Sequence, residues 1–239
     1  MEQLQSRVQT RDLTRAEVQK EVSTVFLAKV FNWMAVGLGL TGIVALLTVS
    51  SGFAQTLAAS PLYWILLISE IGVVFYLAAR VEKLGPGTAT WLFIAYSVMN
   101  GVTLSVLFLM YSGASIASTF LITAGMFATM AVYGLVTKRD LSGMGSFLFM
   151  GLIGILLASI VNIFLQSSSL YWAVSAIGVF VFVGLTAYDV QRIKQIGEQG
   201  IMEQGEAAIQ RGAIMGALAL YLDFINLFIM LLRFFGGRD

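Results

Sequence analysis

The sequence predicts an all-α polytopic membrane protein with seven transmembrane helices, and three observations carry that prediction. Of its 239 residues 58% are hydrophobic and only 11% charged, with a mean hydropathy of +0.87, whereas soluble domains carry about 25% charged residues. Seven apolar runs are each long enough, at roughly 17–25 residues, to cross about 30 Å of hydrocarbon. The cationic residues, finally, alternate with those runs.

Each run is bounded by turn-forming residues. The first, 31–49, follows a polar tail of mixed charge (MEQLQSRVQTRDLTRAEVQKEV) and stops at Ser50, Ser51 and Gly52. The second, 62–79, starts after Ser60-Pro61, and the third, 89–110, starts after Gly85-Pro86-Gly87. The fourth and fifth, 117–136 and 146–165, are introduced by Ser112-Gly113 and Ser142-Gly143. Ser167, Ser168 and Ser169 precede the sixth, 171–188, and the seventh is 212–232. Both prolines of the chain fall in these breaks, where a missing backbone donor costs least. Residues 1–28 then form an N-terminal tail, 29–235 a transmembrane domain and 236–239 a short C-terminal tail. Thr14 and Glu17 have the spacing of a capping box, and Val18, Val22 and Val25 share one face, so the tail is expected to enter span one as a helix lying on the inner surface.

Lys and Arg number fourteen. They lie in the N-terminal tail (Arg7, Arg11, Arg15, Lys20, Lys29), after span two (Arg80, Lys83), after span four (Lys138, Arg139), around the loop after span six (Arg192, Lys194, Arg211) and at the C-terminal end (Arg233, Arg238). The loops after spans one, three and five have none, so the positive-inside rule puts the N-terminus in the cytoplasm. No secretory leader is visible in the polar first thirty residues. Seven crossings send the C-terminus outside, while a re-entrant seventh segment would keep Arg233 and Arg238 inside. With a net charge of +1 and scattered basic residues, a nucleic-acid partner is not expected.

The chain has no histidine and no cysteine, which removes the commonest general base, the commonest zinc ligand and every thiolate. A rhomboid-type protease needs a histidine, and a retinal protein needs a lysine in the last helix. An intramembrane aspartyl protease would use two aspartates on successive helices, but TAYDVQ and YLDFIN lack the glycine-rich flanks expected of one. The reading is therefore non-enzymatic, without a cofactor.

Three carboxylates stand in or at the ends of the apolar runs: Glu70, Asp189 and Asp223. A carboxylate in hydrocarbon costs about 2.5–3.5 kcal/mol by insertion scales, so such residues mark proton or cation sites by default. Asp223 stands eleven residues in from Gly212, about 16 Å along the axis, too deep to reach the surface. Asp189, just ahead of Arg192 and Lys194, taken alone reads first as a solvated interfacial acid. If it meets Asp223, the two share a proton and titrate as a unit. Glu70 is mid-way along span two. Arg80, about 15 Å further along the same helix, is either a boundary anchor or a counter-ion for the aspartates.

Other features are permissive. Gly212 with Gly216, and Gly151, Gly154 and Ala158, have the spacing of close helix packing. Asn100, Asn162 and Asn226 either line a cavity or hydrogen-bond between helices, and the second is expected. The segment 191–211, rich in Gly and Glu, lacks EF-hand spacing and reads as a solvated inner loop.

The run LTAYDVQRIK of span six, LYLDFINLF of span seven, TKRDLSGMG after span four and YSVMNGVTLS of span three together resemble the Bax inhibitor family, also called the transmembrane BAX inhibitor motif family, in its bacterial branch. The likeness spans residues 25–235. It implies a central seventh helix wrapped by the other six, and a pH-sensitive calcium leak across the bacterial inner membrane. It also implies that Asp189 and Asp223 are the family's proton-sensing, cation-attracting pair, with calcium as the transported ion. The glutamate and arginine of the second helix, implicated in support or gating, correspond to Glu70 and Arg80. The bilayer, calcium and protons are then the expected partners. The alternative is a non-conducting regulatory membrane protein that modulates a membrane protease or a stress response through an unidentified protein partner.

Overall fold

A computed structural model describes residues 15–199 and 201–237. Among the described residues there are helices and no strands. Seven helices are long and apolar enough to cross a membrane. Span one is Arg15–Ser50, with its apolar part from Ser23; span two is Leu62–Arg80, extended by a 3-10 turn at Val81–Lys83. Span three is Pro86–Leu104, continued by a 3-10 segment at Ser105–Leu109; spans four and five are Gly113–Val136 and Ser142–Leu165. Span six is Ser168–Glu198 and span seven Glu206–Phe235. A short helix, Phe53–Ala58, follows span one after Gly52, whose φ of +76° favours glycine.

The helix ends follow local chemistry. Pro86 opens span three with φ pre-set and no donor to waste. Ser112 and Ser167 cap spans four and six by accepting from the N–H groups of Ser115 and Leu170.

Span seven is the hub. In its most apolar stretch 72% of the residues are buried, against 11% in spans two and five. It packs on spans one, three, four and six; span two sits outside span three, and span five outside span six. The outward surface is oily, with Phe164 83% and Phe180 78% exposed, the inverse of a soluble protein and the pattern of a lipid-facing belt.

Lipid tails are as apolar as these side chains, so close approach holds the helices together more than hydrophobicity does. Glycines permit it. A Cβ on Gly134 of span four would overlap the Ala187 carbonyl oxygen of span six, and one on Gly145 would overlap the Tyr188 ring. Gly212 and Gly216 lie against Phe26 and Val30 of span one. Gly151 meets Val181, while Gly154 faces open space.

The two ends of the bundle differ. Ser23 donates to the Lys194 carbonyl, and Arg211 donates to the Leu84 carbonyl, which gathers the start of span one with the basic loops. At the opposite end Gly237 donates to Ser115 Oγ at 2.9 Å. A continuous span seven of 30 residues, about 45 Å long, therefore replaces the re-entrant alternative.

Several sequence expectations are corrected. Span six does not end at 188 but continues as helix to Glu198, and a 3-10 turn, Ile201–Gln204, stands between it and span seven. The segment 191–211 is thus mostly packed helix and not a solvated loop. The physical reason is that Gln191 is buried, donating to the Arg139 carbonyl and accepting from Leu141 N–H, both at 2.8 Å, while Lys194 donates to the Leu135 carbonyl. The division at 28/29 falls inside one continuous helix. The capping box of Thr14 and Glu17 lies outside the described residues.

Candidate functional site

Asp189 stands nine residues before the end of the span six helix, half-buried, with Val190 and Gln191 buried beside it. Asp223 is 4% exposed in the middle of span seven. The side chains of the two acids face each other closely enough to interact directly across the contact between spans six and seven. A carboxylate can only accept, so two acids this close hydrogen-bond to each other only when one of them carries a hydrogen. Arg192, exposed and one turn beyond Asp189, is the cation that acts on that carboxyl group. Asp223 Oδ2 is buried without a hydrogen-bond donor among the described residues, a feature that in native interiors calls for a proton, ligand, water or function.

The approach of spans four and six positions this pair. Gly134 lets span four touch the Ala187 carbonyl, two residues from Asp189, and Phe224, next to Asp223, packs edge-on against Phe127 of span four at 5.6 Å between centroids. Two crevices open at the bundle ends. One, of about 660 Å³, is lined by Tyr171, Trp172 and Arg233; the other, of about 230 Å³, by Lys138, Asp140 and Lys194. Neither is lined by Asp189 or Asp223.

Glu70 is 6% exposed and belongs to a separate cluster. Its Oε1 accepts from Thr103 at 2.5 Å, and its Oε2 lies 3.3 Å from the Asn100 amide. The other side of Asn100 meets the Tyr221 hydroxyl at 3.1 Å, which is 2.7 Å from Thr41 Oγ1. Arg80 is exposed in the last turn of span two and makes no ion pair among the described residues. The structure thus brings Asp189 and Asp223 together, holds Glu70 on another interface, and leaves Arg80 at the rim.

Thr41, Thr103 and Tyr221 carry polar contacts that the sequence reading missed. Tyr221 sits two residues ahead of Asp223 inside LYLDFINLF, which was a usable signal; the threonines offered none, because lone hydroxyls are common in membrane helices. Of the three asparagines, Asn100 does bond between helices. Asn162 instead accepts from Ser167 N–H at the end of its own span, and Asn226 donates to Leu222 within its own helix.

Outside the membrane spans, Asp140 accepts from Ser142 N–H at 2.9 Å. The Ser142 hydroxyl, and then its backbone N–H, hold this carboxyl below its ordinary value of 3.8. A depressed folded-state value means the contribution is present above 3.8 and is lost as pH falls through the lower folded value. Asp140→Ala is expected to lower the melting temperature slightly at neutral pH, with the difference closing in acid below 3.8. Thermal unfolding of both proteins in detergent across that range checks it, and a difference independent of pH refutes it.

The comparisons with known proteins agree with this architecture. The family model described as inhibitor of apoptosis-promoting Bax1 matches residues 23–239. A protein of Escherichia coli strain K12 named inner membrane protein YbhL is 52% identical over 215 residues, 89% of this chain and 92% of that one. An uncharacterized protein of Borreliella burgdorferi is 44% identical over 95% of this chain and 98% of its own length. One from Deinococcus radiodurans is 42% identical over 95% and 96%. With the family model covering the whole seven-helix body, this membrane protein belongs to the Bax inhibitor family.

Proposed function

We propose that the protein is a pH-sensitive calcium leak channel in which Asp189 and Asp223 share a proton and attract the cation. The observation that carries this reading is the approach of the two acidic side chains on the central helix and its neighbour, with Asp223 buried at 4% exposure. Two acids in contact away from bulk water cannot both ionise easily, so their charge, and with it their attraction for a cation, follows pH. Loss of the shared proton places like charges across the contact between spans six and seven and loosens it. Arg192, beside Asp189, is in this reading the nearest competing cation; Arg80 is a charge at the rim.

Calcium enters as cargo. It takes 6–8 oxygen ligands, and among the described residues no group of three acidic side chains could hold it. Two carboxylates plus water or carbonyl oxygens give a weak site, which suits passage. The name of the Escherichia coli relative supports a bacterial inner-membrane location, and the loops after spans one, three and five, free of Lys and Arg, support a cytoplasmic N-terminus with the C-terminus, carrying Arg233 and Arg238, outside.

The test is calcium flux in liposomes of pure protein. Removing one charge about 4 Å from a cation, at an effective dielectric constant of about 20, is worth up to about 4 kcal/mol. Asp223→Asn is therefore expected to change flux by about tenfold or more and to flatten its pH profile. Wild-type flux with an unchanged profile in Asp223→Asn removes the mechanism. Absence of flux from the wild type, with a stable co-purifying protein, favours the regulatory alternative.

A further inference from the structure

Spans one, two, three and seven enclose a line of four polar contacts that reaches from Glu70 to a backbone carbonyl. Asn100 lies 3.3 Å from Glu70 Oε2. Tyr221 OH lies 3.1 Å from the other end of the Asn100 amide, Thr41 Oγ1 is 2.7 Å from Tyr221 OH, and Thr41 Oγ1 is 2.9 Å from the Ser97 carbonyl oxygen. All five side chains or carbonyls belong to buried residues, and Tyr221 is completely enclosed.

Counting hydrogens decides what this line is. If Glu70 is ionised, Asn100 must turn its N–H2 to the carboxylate, and its oxygen then takes the only hydrogen of Tyr221. Thr41 has one hydrogen for two acceptors, Tyr221 OH and the Ser97 carbonyl. Three hydrogens face four contacts. If Glu70 carries a proton on Oε2, that proton goes to the Asn100 oxygen, the amide N–H2 goes to Tyr221, Tyr221 donates to Thr41, and Thr41 donates to Ser97. Each of the four contacts of the line is then filled, in one direction. The amide's two ends occupy the same space and are assigned only by their partners, so the reversal moves no atom of the backbone. Thr103 stands outside this line: its one hydrogen serves both Glu70 Oε1 and the Met99 carbonyl whichever way the line runs.

We infer that Glu70 holds a proton and is the head of a hydrogen-bonded relay, Glu70–Asn100–Tyr221–Thr41–Ser97 carbonyl, whose direction reverses when that proton leaves. This makes Glu70 a second proton-binding site. The ionisable groups that face it are Tyr63 on its own helix, Tyr96 on span three and Tyr221 on span seven; the short helix Phe53–Ala58 brings none. Arg80, Glu82 and Lys83 lie at least about 15 Å further along the helix. Tyr221 and Asp223 are two residues apart on span seven, about 200° around its axis, so the relay and the aspartate pair occupy opposite faces of one helix. Any rotation of span seven moves both.

The inference is independent of calcium conduction and is tested without it. Infrared difference spectra of the full-length protein in liposomes at neutral pH should contain a protonated-carboxyl C=O band that Glu70→Gln removes and that Asp189→Asn and Asp223→Asn leave in place. Gln at 70 donates from its amide as the acid does from its hydroxyl, so this variant should remain folded. Tyr221→Phe and Thr41→Val take away the acceptors that hold the reversed direction, and each should cut the band by at least about half as the amide returns to the carboxylate. A spectrum in which Glu70→Gln removes no such band, or a band unaltered in both Tyr221→Phe and Thr41→Val, overturns the assignment.

Discussion

Gly134→Val is expected to abolish the folded protein in detergent, with loss of a cooperative melting transition. Gly134 is buried where spans four and six touch, and its added Cβ would overlap the backbone oxygen of Ala187. A backbone atom in the middle of a 31-residue helix cannot rotate aside as a side-chain tip can, so the two helices must part along their contact. Ordinary overpacking costs about 1–3 kcal/mol, and a displacement of whole helices exceeds it, against total stabilities of about 5–15 kcal/mol. The separation also carries Asp189, two residues from Ala187, away from Asp223. Gly125→Ala on the same span is the control: its Cβ meets nothing within 4 Å, and Ala is the better helix former by about 1 kcal/mol. Melting of Gly134→Val within a few degrees of Gly125→Ala would falsify the close approach of spans four and six.

Tyr221→Ala should have the next largest effect. The ring is fully buried and meets Phe93 and Tyr96 edge-on at 5.9 and 5.7 Å between centroids. Emptying that volume at the junction of spans one, three and seven costs about 3–5 kcal/mol by analogy with Phe and Trp truncations. Tyr221→Phe keeps the rings and removes only the hydroxyl between Thr41 and Asn100. It should cost about 1–3 kcal/mol, the penalty of stranding buried polar partners. Thermal unfolding of the two variants separates packing from hydrogen bonding: equal losses would mean that the hydroxyl, not the ring, dominates, contrary to this account.

How far the sequence could be read depended on whether the information was local. The seven spans were legible because transfer of each side chain into hydrocarbon adds along the chain, and a window of roughly twenty residues reports its own fate. The centrality of span seven and the pairing of Asp189 with Asp223 were not legible that way, because they rest on how two helices are rotated against each other. Only the resemblance carried by LTAYDVQRIK and LYLDFINLF supplied the pairing. Span six ran past its expected end because Gln191 and Lys194 find carbonyl partners on the facing loop and helix, contacts invisible to a hydropathy window.

Glu70 shows the same division at one residue. Its depth in span two was plain from the flanking apolar run, and so was the need for a polar interior around it. Its partners were not: Asn100 and Thr103 come from span three, and Asn100 leads on to Tyr221 and Thr41, which meet across 180 residues of sequence. By itself the sequence determined that this is a seven-span, all-helical membrane protein with three carboxylates in its apolar spans, because burial in lipid is decided residue by residue. The tertiary structure alone decided that those carboxylates form two separate sites, a pair and a relay on opposite faces of span seven. Helix rotation and glycine-permitted approach fix such contacts, and both arise only when the helices pack.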